Sequence, residues 1–182
     1  ALKQPQVLVI VPTRELAIQV SEAFQSYSHD MKGFFITPIY GGQDYSIQLR
    51  ALKRGVHVIV GTPGRLMDHL RRGTLKIDQL QAVVLDEADE MLKMGFIDDI
   101  DWILSQMTHP HQTALFSATM PQQIKKIANR YLKEAEKIAI KSTSSTVDTI
   151  EQSYIRINNN QKIDLLTRVL EVEETQAVII FT

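Results

Sequence analysis

Six short apolar runs, most of them ending in a polar or glycine-containing phrase, limit most strongly what this chain can fold into. They lie at residues 6–11, 34–40, 56–60, 82–85, 113–116 and 137–140. Between them, apolar residues recur at helical spacing: Leu16, Val20, Phe24 and Tyr27 form one stripe, and Ile124, Ile127, Ala128 and Tyr131 another. Pro63 and Pro121 each open a helical stretch, where a missing N–H costs least. Strand-sized runs alternating with helices predict an α/β fold, βαβ units around a mainly parallel sheet flanked by helices. In such a sheet the carboxyl ends of all strands fall along one edge, where open α/β folds bind ligands.

The phrases that reach this edge carry the chemistry. Residues 6–11 lead into Pro12, Thr13, Arg14 and Glu15, and residues 34–40 into Gly41 and Gly42. Residues 56–60 lead into Gly61, Thr62, Pro63, Gly64 and Arg65; 82–85 into Asp86, Glu87, Ala88 and Asp89; and 113–116 into Ser117, Ala118 and Thr119. Two carboxylates at the end of an apolar strand suit a nucleoside triphosphate site with Mg²⁺, which takes one or two carboxylates along with water and substrate phosphates. Asp86 would hold the hydrated ion, and Glu87 would orient or deprotonate the attacking water. The same acids also suit a helix N-terminus, where the dipole favours them. Thr62 and Pro63 satisfy an ordinary helix start, yet that geometry equally aims free N–H groups and Arg65 at a phosphate. Gly41 and Gly42 fit a plain turn or a close backbone approach to a ligand. Ser117 and Thr119 are turn hydroxyls or partners for Asp89. His109, Pro110 and His111 read as a surface turn, and Met91, Met94, Phe96 and Trp102 as core packing.

The 182 residues suffice for one domain with a sizeable core and the beginning of another. Residues 141–149 turn to Ser and Thr without periodicity and read as a linker. Beyond them come a strand candidate at 150–157, an Asn-rich turn, a helix at 162–172 and an apolar run at 177–181. That second unit is too short to bury a core alone, and the C-terminus reads as severed. The expected domains are therefore 1–140, the linker 141–149, and 150–182. No apolar run approaches membrane-spanning length, and the start at Ala1, Leu2 and Lys3 carries no leader pattern. The absence of cysteine excludes disulfides and thiolate metal sites and fits a reducing cytoplasm. With 20 basic against 21 acidic residues, net charge is −1, so any nucleic-acid site must be local rather than a broad positive face.

Taken together, the phrases resemble the DEAD-box ATP-dependent RNA helicases, in the family's order. The match runs from Pro12, Thr13, Arg14, Glu15, Leu16 and Ala17 through Gly41 and Gly42, Thr62 to Arg65, Asp86 to Asp89 and Ser117 to Thr119, ending at Ile179, Ile180, Phe181 and Thr182. Tyr40, Gly41, Gly42 and Gln43, with the stretch from Glu90 to Phe96, look most like the bacterial cold-shock type. The resemblance implies a RecA-like fold of the P-loop NTPase type, incomplete, plus the first elements of a second RecA-like lobe. It implies that Asp86 and Glu87 serve Mg²⁺-ATP and the hydrolytic water, and that Asp89, Ser117 and Thr119 couple the nucleotide to lobe closure. Pro12, Thr13, Arg14, Gly42, Thr62, Gly64 and Arg65 would line an RNA path through phosphate and ribose contacts, which carry no base code. No particular protein partner is implied.

One departure stands out: none of the eight glycines is followed by lysine, so a Gly-x-x-x-x-Gly-Lys-Ser/Thr phosphate loop is absent. The family carries that loop upstream of the strands present here. The isolated chain is therefore expected to neither hydrolyse ATP nor unwind RNA. The missing loop strand is also expected to leave an exposed edge beside the strand ending in Ser117, and so marginal stability. A non-catalytic RNA clamp or partner-binding module of the same fold is the alternative. A DNA-directed ATPase of the same architecture is a third.

Overall fold

The computed structural model describes residues 4–140, 150–151, 153–174 and 176–181. The chain divides into two compact units, residues 1–136 and 137–182. In the first, β1 (Val7–Ile10), β2 (Ile36–Ile39), β3 (Val58–Gly61), β4 (Ala82–Leu85) and β5 (Gln112–Leu115) form one sheet in the order β2-β3-β1-β4-β5. Every neighbouring pair is parallel. The helices α1 (Arg14–Tyr27), α2 (Tyr45–Arg54), α3 (Pro63–Arg71), α4 (Ala88–Lys93) and α5 (Ile97–Ser105) lie between strands in the chain, and α6 (Gln122–Tyr131) follows the last.

Side chains alternate across a strand, and here each face has its own apolar core. Leu8, Ile10, Ile39, Ile59, Val83 and Leu85 pack with Leu66 of α3, Ile100 and Ile103 of α5, and Ile124 and Ile127 of α6. Val9, Val11, Tyr40, Val58 and Val60 pack with Ala17, Leu16, Val20 and Phe24 of α1. A one-residue slip of any strand would exchange these two sets, so burial on two faces fixes the register. That register sets Ile39, Gly61, Ile10, Leu85 and Leu115 at one level across the sheet. Within the described sheet β5 is an edge strand that pairs with β4 alone, and its residues are half-buried or exposed.

Several expectations need correction. Residues 137–140 form no strand, and Ile140 is 96% exposed. The described residues of 150–157 and of 177–181 form no strand either. A strand is defined by its partner, and the apolar pattern of these segments meets none among the described residues. The Asn-rich turn is a 3-10 turn over Asn159–Gln161, and α7 (Lys162–Val172) occupies the expected helix. The segment read as a linker, 141–149, falls outside the described residues. On α1 the apolar stripe ends at Phe24, since Tyr27, the last residue of the helix, is 89% exposed. Met91 is buried, but Met94 caps α4 and lies exposed. Phe96 and Trp102 are partly buried against the core.

Gly61 closes β3 where no side chain fits. A Cβ there would lie 2.7 Å from the Ile39 carbonyl oxygen and 2.8 Å from Cδ2 of Leu66. The Ile39 backbone is pinned in the sheet and cannot yield. Gly61→Ala is expected to destabilise the first unit by about 2 kcal/mol, the usual cost of overpacking, read as a lowered urea midpoint at unchanged slope.

Candidate functional site

The ladder continues one residue past each strand end. Val11 N–H donates to Gly61 O at 3.0 Å, Thr62 N–H to Ile39 O at 3.0 Å, Asp86 N–H to Ile10 O at 3.0 Å and Phe116 N–H to Leu85 O at 2.8 Å. All five strand tails therefore leave the sheet along one rim, which spans four strand spacings, roughly 19 Å. Pro12 to Arg14, Gly41 and Gly42, Thr62 to Arg65, Asp86 to Asp89, and Ser117 to Thr119 all start there. The sequence-predicted residues are thus brought to one edge, with acids on the β4 side and arginines on the β1 and β3 side.

Asp86 is half-buried and Glu87 exposed. Glu87 takes the left-handed conformation, φ 52 and ψ 48. For a residue with a Cβ this costs roughly 1–2 kcal/mol and persists only where neighbours enforce it. Three hydrogen bonds do so here. The Glu87 N–H donates to Asp86 Oδ1 at 2.9 Å, that of Ala88 to Phe116 O at 3.1 Å, and that of Asp89 to Ser117 Oγ at 3.1 Å. The sharp turn leaves the Glu87 side chain in solvent at the rim while α4 begins at once.

Asp89 is buried, and its carboxylate joins this turn to the tail of β5. Its Oδ2 accepts from the Thr119 hydroxyl at 2.8 Å and from the Thr119 N–H at 3.0 Å. Ser117 Oγ accepts the Asp89 N–H and donates to Thr119 O at 2.6 Å, which closes the loop. The Thr119 hydroxyl bond, aided by the Thr119 N–H and opposed by burial, holds the Asp89 carboxyl down at about 2.

On the other side of the rim, Thr13 caps α1 by accepting the Leu16 N–H at 3.2 Å, a bond the sequence reading did not identify. Pro12 is buried. Arg14 is exposed and its guanidinium sits 5.1 Å from the centre of the buried Tyr40 ring. Gly42 has φ +81, and its turn needs a residue without a Cβ. Thr62 holds the N-cap position of α3 without a side-chain cap bond, Pro63 is the first helical residue, and Gly64 is exposed. Arg65 donates through Nη1 to Gln43 O at 3.2 Å and to Gln48 Oε1 at 3.1 Å.

Sequence reasoning missed the buried polar residues beneath this side, Gln48 and His69. The available signal was a polar residue standing in a helix's apolar stripe: Gln48 follows Tyr45 by three positions, and His69 follows Leu66 by three. His109 and His111 form a local turn, with His111 Nδ1 2.7 Å from His109 O.

No group of three or more His, Cys, Asp or Glu that could hold a metal occurs among the described residues. Asp86, a half-buried carboxylate at a strand end, would suit an ion that draws its other ligands from water and phosphate, as Mg²⁺ does. No described helix is long and apolar enough to cross a membrane.

Solved structures share this architecture. A DEAD box protein from the hyperthermophile Methanococcus jannaschii matches with a TM-score of 0.73 and 41% identity, over 94% of this chain and 46% of that one. A hypothetical ATP-dependent RNA helicase from Sulfolobus tokodaii matches at 0.69 and 37%, over 74% of this chain and 40% of that one. The parallel sheet flanked by helices is that of a RecA-like helicase domain. The family model "DEAD/DEAH box helicase" matches residues 1–127, and the chain belongs to that family. It is 55% identical, over 99% of its length, to the ATP-dependent RNA helicase DeaD of Buchnera aphidicola (subsp. Schizaphis graminum), and 52% identical to that of Escherichia coli K12. It spans about 30% of the length of these curated relatives.

The pKa of Asp89 has a consequence for stability. Because folding lowers it from 3.8 to about 2, the ionised carboxylate stabilises the fold fully above the unfolded value. That stabilisation fades as pH falls from about 4 toward 2. Asp89→Asn is expected to cost about 2 kcal/mol at pH 7, the range for hydrogen bonds to a charged group. Urea titrations at stepped pH should show the difference between the two proteins shrinking below pH ~4.

Proposed function

We propose that this chain is the central part of an ATP-dependent RNA helicase of the bacterial cold-shock type. Residues 1–140 supply most of the first RecA-like lobe, 141–149 the linker, and 150–182 the start of the second. The observation that carries the reading is the level register of the five strand tails, which sets the acid pair and the arginines on one rim.

Asp86 would hold the hydrated Mg²⁺ of Mg²⁺-ATP, and Glu87, exposed by its left-handed turn, would orient the water that attacks the γ-phosphate. The ion, when bound, neutralises charge that develops on the phosphates. Asp89, Ser117 and Thr119 would transmit the state of that site, because a shift of the β4 tail pulls on the β5 tail through three hydrogen bonds. Pro12, Thr13, Arg14, Gly42, Thr62, Gly64 and Arg65 would track an RNA strand through phosphates and riboses, without base readout. Closure of two lobes on ATP and RNA would separate strands locally. The absence of cysteine and the bacterial relatives support a cytoplasmic location. An RNA clamp without turnover is less well supported, since it has no use for a strained residue that presents a carboxylate at the rim.

In the full-length protein, Glu87→Gln is expected to lower RNA-stimulated ATP turnover by a factor of about 10² or more, the usual share of a general base, while single-stranded RNA still binds. The 182-residue chain alone, having no Gly-Lys phosphate loop, should show no turnover above an Asp86→Asn control. Full turnover by Glu87→Gln, or RNA-stimulated turnover by the chain alone, would overturn these assignments.

A further inference from the structure

Beneath the proposed RNA side lies a buried polar lattice that none of the proposed roles employs. Gln48 on α2 is 1% exposed and His69 on α3 is 0% exposed. Gln48 Nε2 lies 3.0 Å from Tyr40 O and 2.8 Å from Gln43 Oε1, while its Oε1 lies 3.1 Å from Arg65 Nη1 and 2.9 Å from His69 Nε2. His69 Nδ1 lies 2.9 Å from the Thr74 hydroxyl, which in turn lies 3.1 Å from the Tyr45 hydroxyl. The Tyr45 and His69 rings stack at 4.4 Å and 8°, and Arg65 and Arg72 lie over the Tyr45 ring at 5.5 and 5.0 Å.

The directions of the bonds around Gln48 and His69 can be deduced. A guanidinium only donates, so the Gln48 atom facing Arg65 must be the oxygen. Gln48 Nε2 then donates to Tyr40 O and Gln43 Oε1. An oxygen only accepts, so His69 Nε2 must carry a proton. Burial first, then the charges of Arg65 and Arg72, with Asp68 opposing, push His69 down to about 4, so at neutral pH the ring has one proton. Nδ1 is therefore an acceptor and faces the Thr74 hydroxyl, whose one proton is shared between Nδ1 at 2.9 Å and the His69 carbonyl oxygen at 3.1 Å. The His69 carbonyl keeps the Thr74 N–H at 3.0 Å and the Leu75 N–H at 3.3 Å. A single tautomer satisfies all partners, and it leaves Gln48 no freedom to flip.

We propose that Gln48 and His69 are positioning residues that present Arg65 and the Gly41–Gly42–Gln43 loop to RNA phosphates. This rests on the proposed RNA path. His69 locks the Gln48 amide. Gln48 then ties one end of α3 to the tail of β2, fixing where the Arg65 guanidinium stands and where the loop begins. Tyr40 extends the lattice toward Arg14, since its hydroxyl accepts from Gln43 Nε2 at 3.3 Å and its ring faces Arg14. An ordering device of this kind removes the entropy cost of fixing a long side chain at the moment of binding.

The test uses the full-length protein, with short homopolymeric RNA as probe and RNA-stimulated ATP turnover as readout. Three variants are compared: Arg65→Ala; His69→Phe, which keeps the stacked ring and loses two hydrogen bonds; and Gln48→Met, close in volume. Arg65→Ala should raise the KM for RNA about tenfold, as for a lost charge-assisted contact, and reduce the salt slope of binding by about 0.7, one phosphate on a single strand. His69→Phe and Gln48→Met should each raise the KM several-fold and reduce the slope, with kcat at saturating RNA unchanged. Neither should add to Arg65→Ala in a double variant. If Arg65→Ala weakens binding while both others, folded by thermal melt, leave KM and slope unchanged, the positioning role falls and the RNA reading stands. Losses that simply add to Arg65→Ala also overturn it. If Arg65→Ala has no effect, the RNA reading of Arg65 fails instead, and the positioning role with it. Should both lattice variants fail to fold, the ¹⁵N shifts of His69 decide: the neutral Nε2–H form at pH 7 supports the lattice, and the Nδ1–H form overturns it.

Discussion

A parallel sheet buried on two faces has little freedom in register, and in this molecule that restriction shapes everything at the rim. Leu8, Ile10 and Ile59 fill one core while Val9, Val11, Val58 and Val60 fill the other. Shifting β1 or β3 by one position would send each set into the wrong core, with several fully buried side chains misplaced at once. The level line through Ile39, Gly61, Ile10, Leu85 and Leu115 is a consequence of this apolar packing. The polar residues downstream inherit their positions from it. A functional edge can therefore hold strained or unfavourable residues, because its placement is secured several ångströms away.

Two polar systems use that freedom in different ways. On the β4 and β5 side, the ionised Asp89 gathers donors from Thr119, and the four-bond loop stands next to a left-handed Glu87. This charged lock ties two strand tails and would feel any displacement of either. On the β1, β2 and β3 side, the lattice through Tyr40, Gln43, Gln48 and His69 carries no negative charge at all. It orders arginines without engaging a carboxylate. The sheet between the two systems is hydrogen-bonded and packed on two faces, and so holds them at a fixed separation along the rim.

How legible this was in the sequence depended on where the determining information lay. The five strands of the sheet lie on the expected runs to within one residue because burial leaves an apolar signature, and α7 matched the expected helix because periodicity is local. The runs at 137–140, 150–157 and 177–181 carry equally apolar patterns, yet among their described residues no strand forms, since pairing is a property of two segments and the pattern belongs to one. Tyr27 and Met94 failed at helix ends, where a periodic stripe outlasts the surface that covers it. The rim residues were readable because a polar or glycine-containing phrase ends each strand run. Gln48 and His69 were less so: a polar residue in an apolar stripe marks each as unusual, but their shared hydrogen bonds arise only where separate segments converge.

The nature of Arg65's partners bears on what it can bind. Arg65 is held by the Gln43 carbonyl, the Gln48 amide oxygen and the Tyr45 ring face, all neutral. Arg72, one face along, is paired instead with Asp68 at 2.8 Å. A carboxylate partner fixes a guanidinium but cancels its charge, and a phosphate would have to displace that partner before binding. Neutral acceptors fix the group and leave its charge intact, with further N–H donors free to meet an anion. A chain of net charge −1 cannot attract a polyanion by its overall field. On the proposed RNA path it would do so through a few arginines that no carboxylate pairs among the described residues: Arg65, and Arg14, which shares with Arg65 the contact with an aromatic ring.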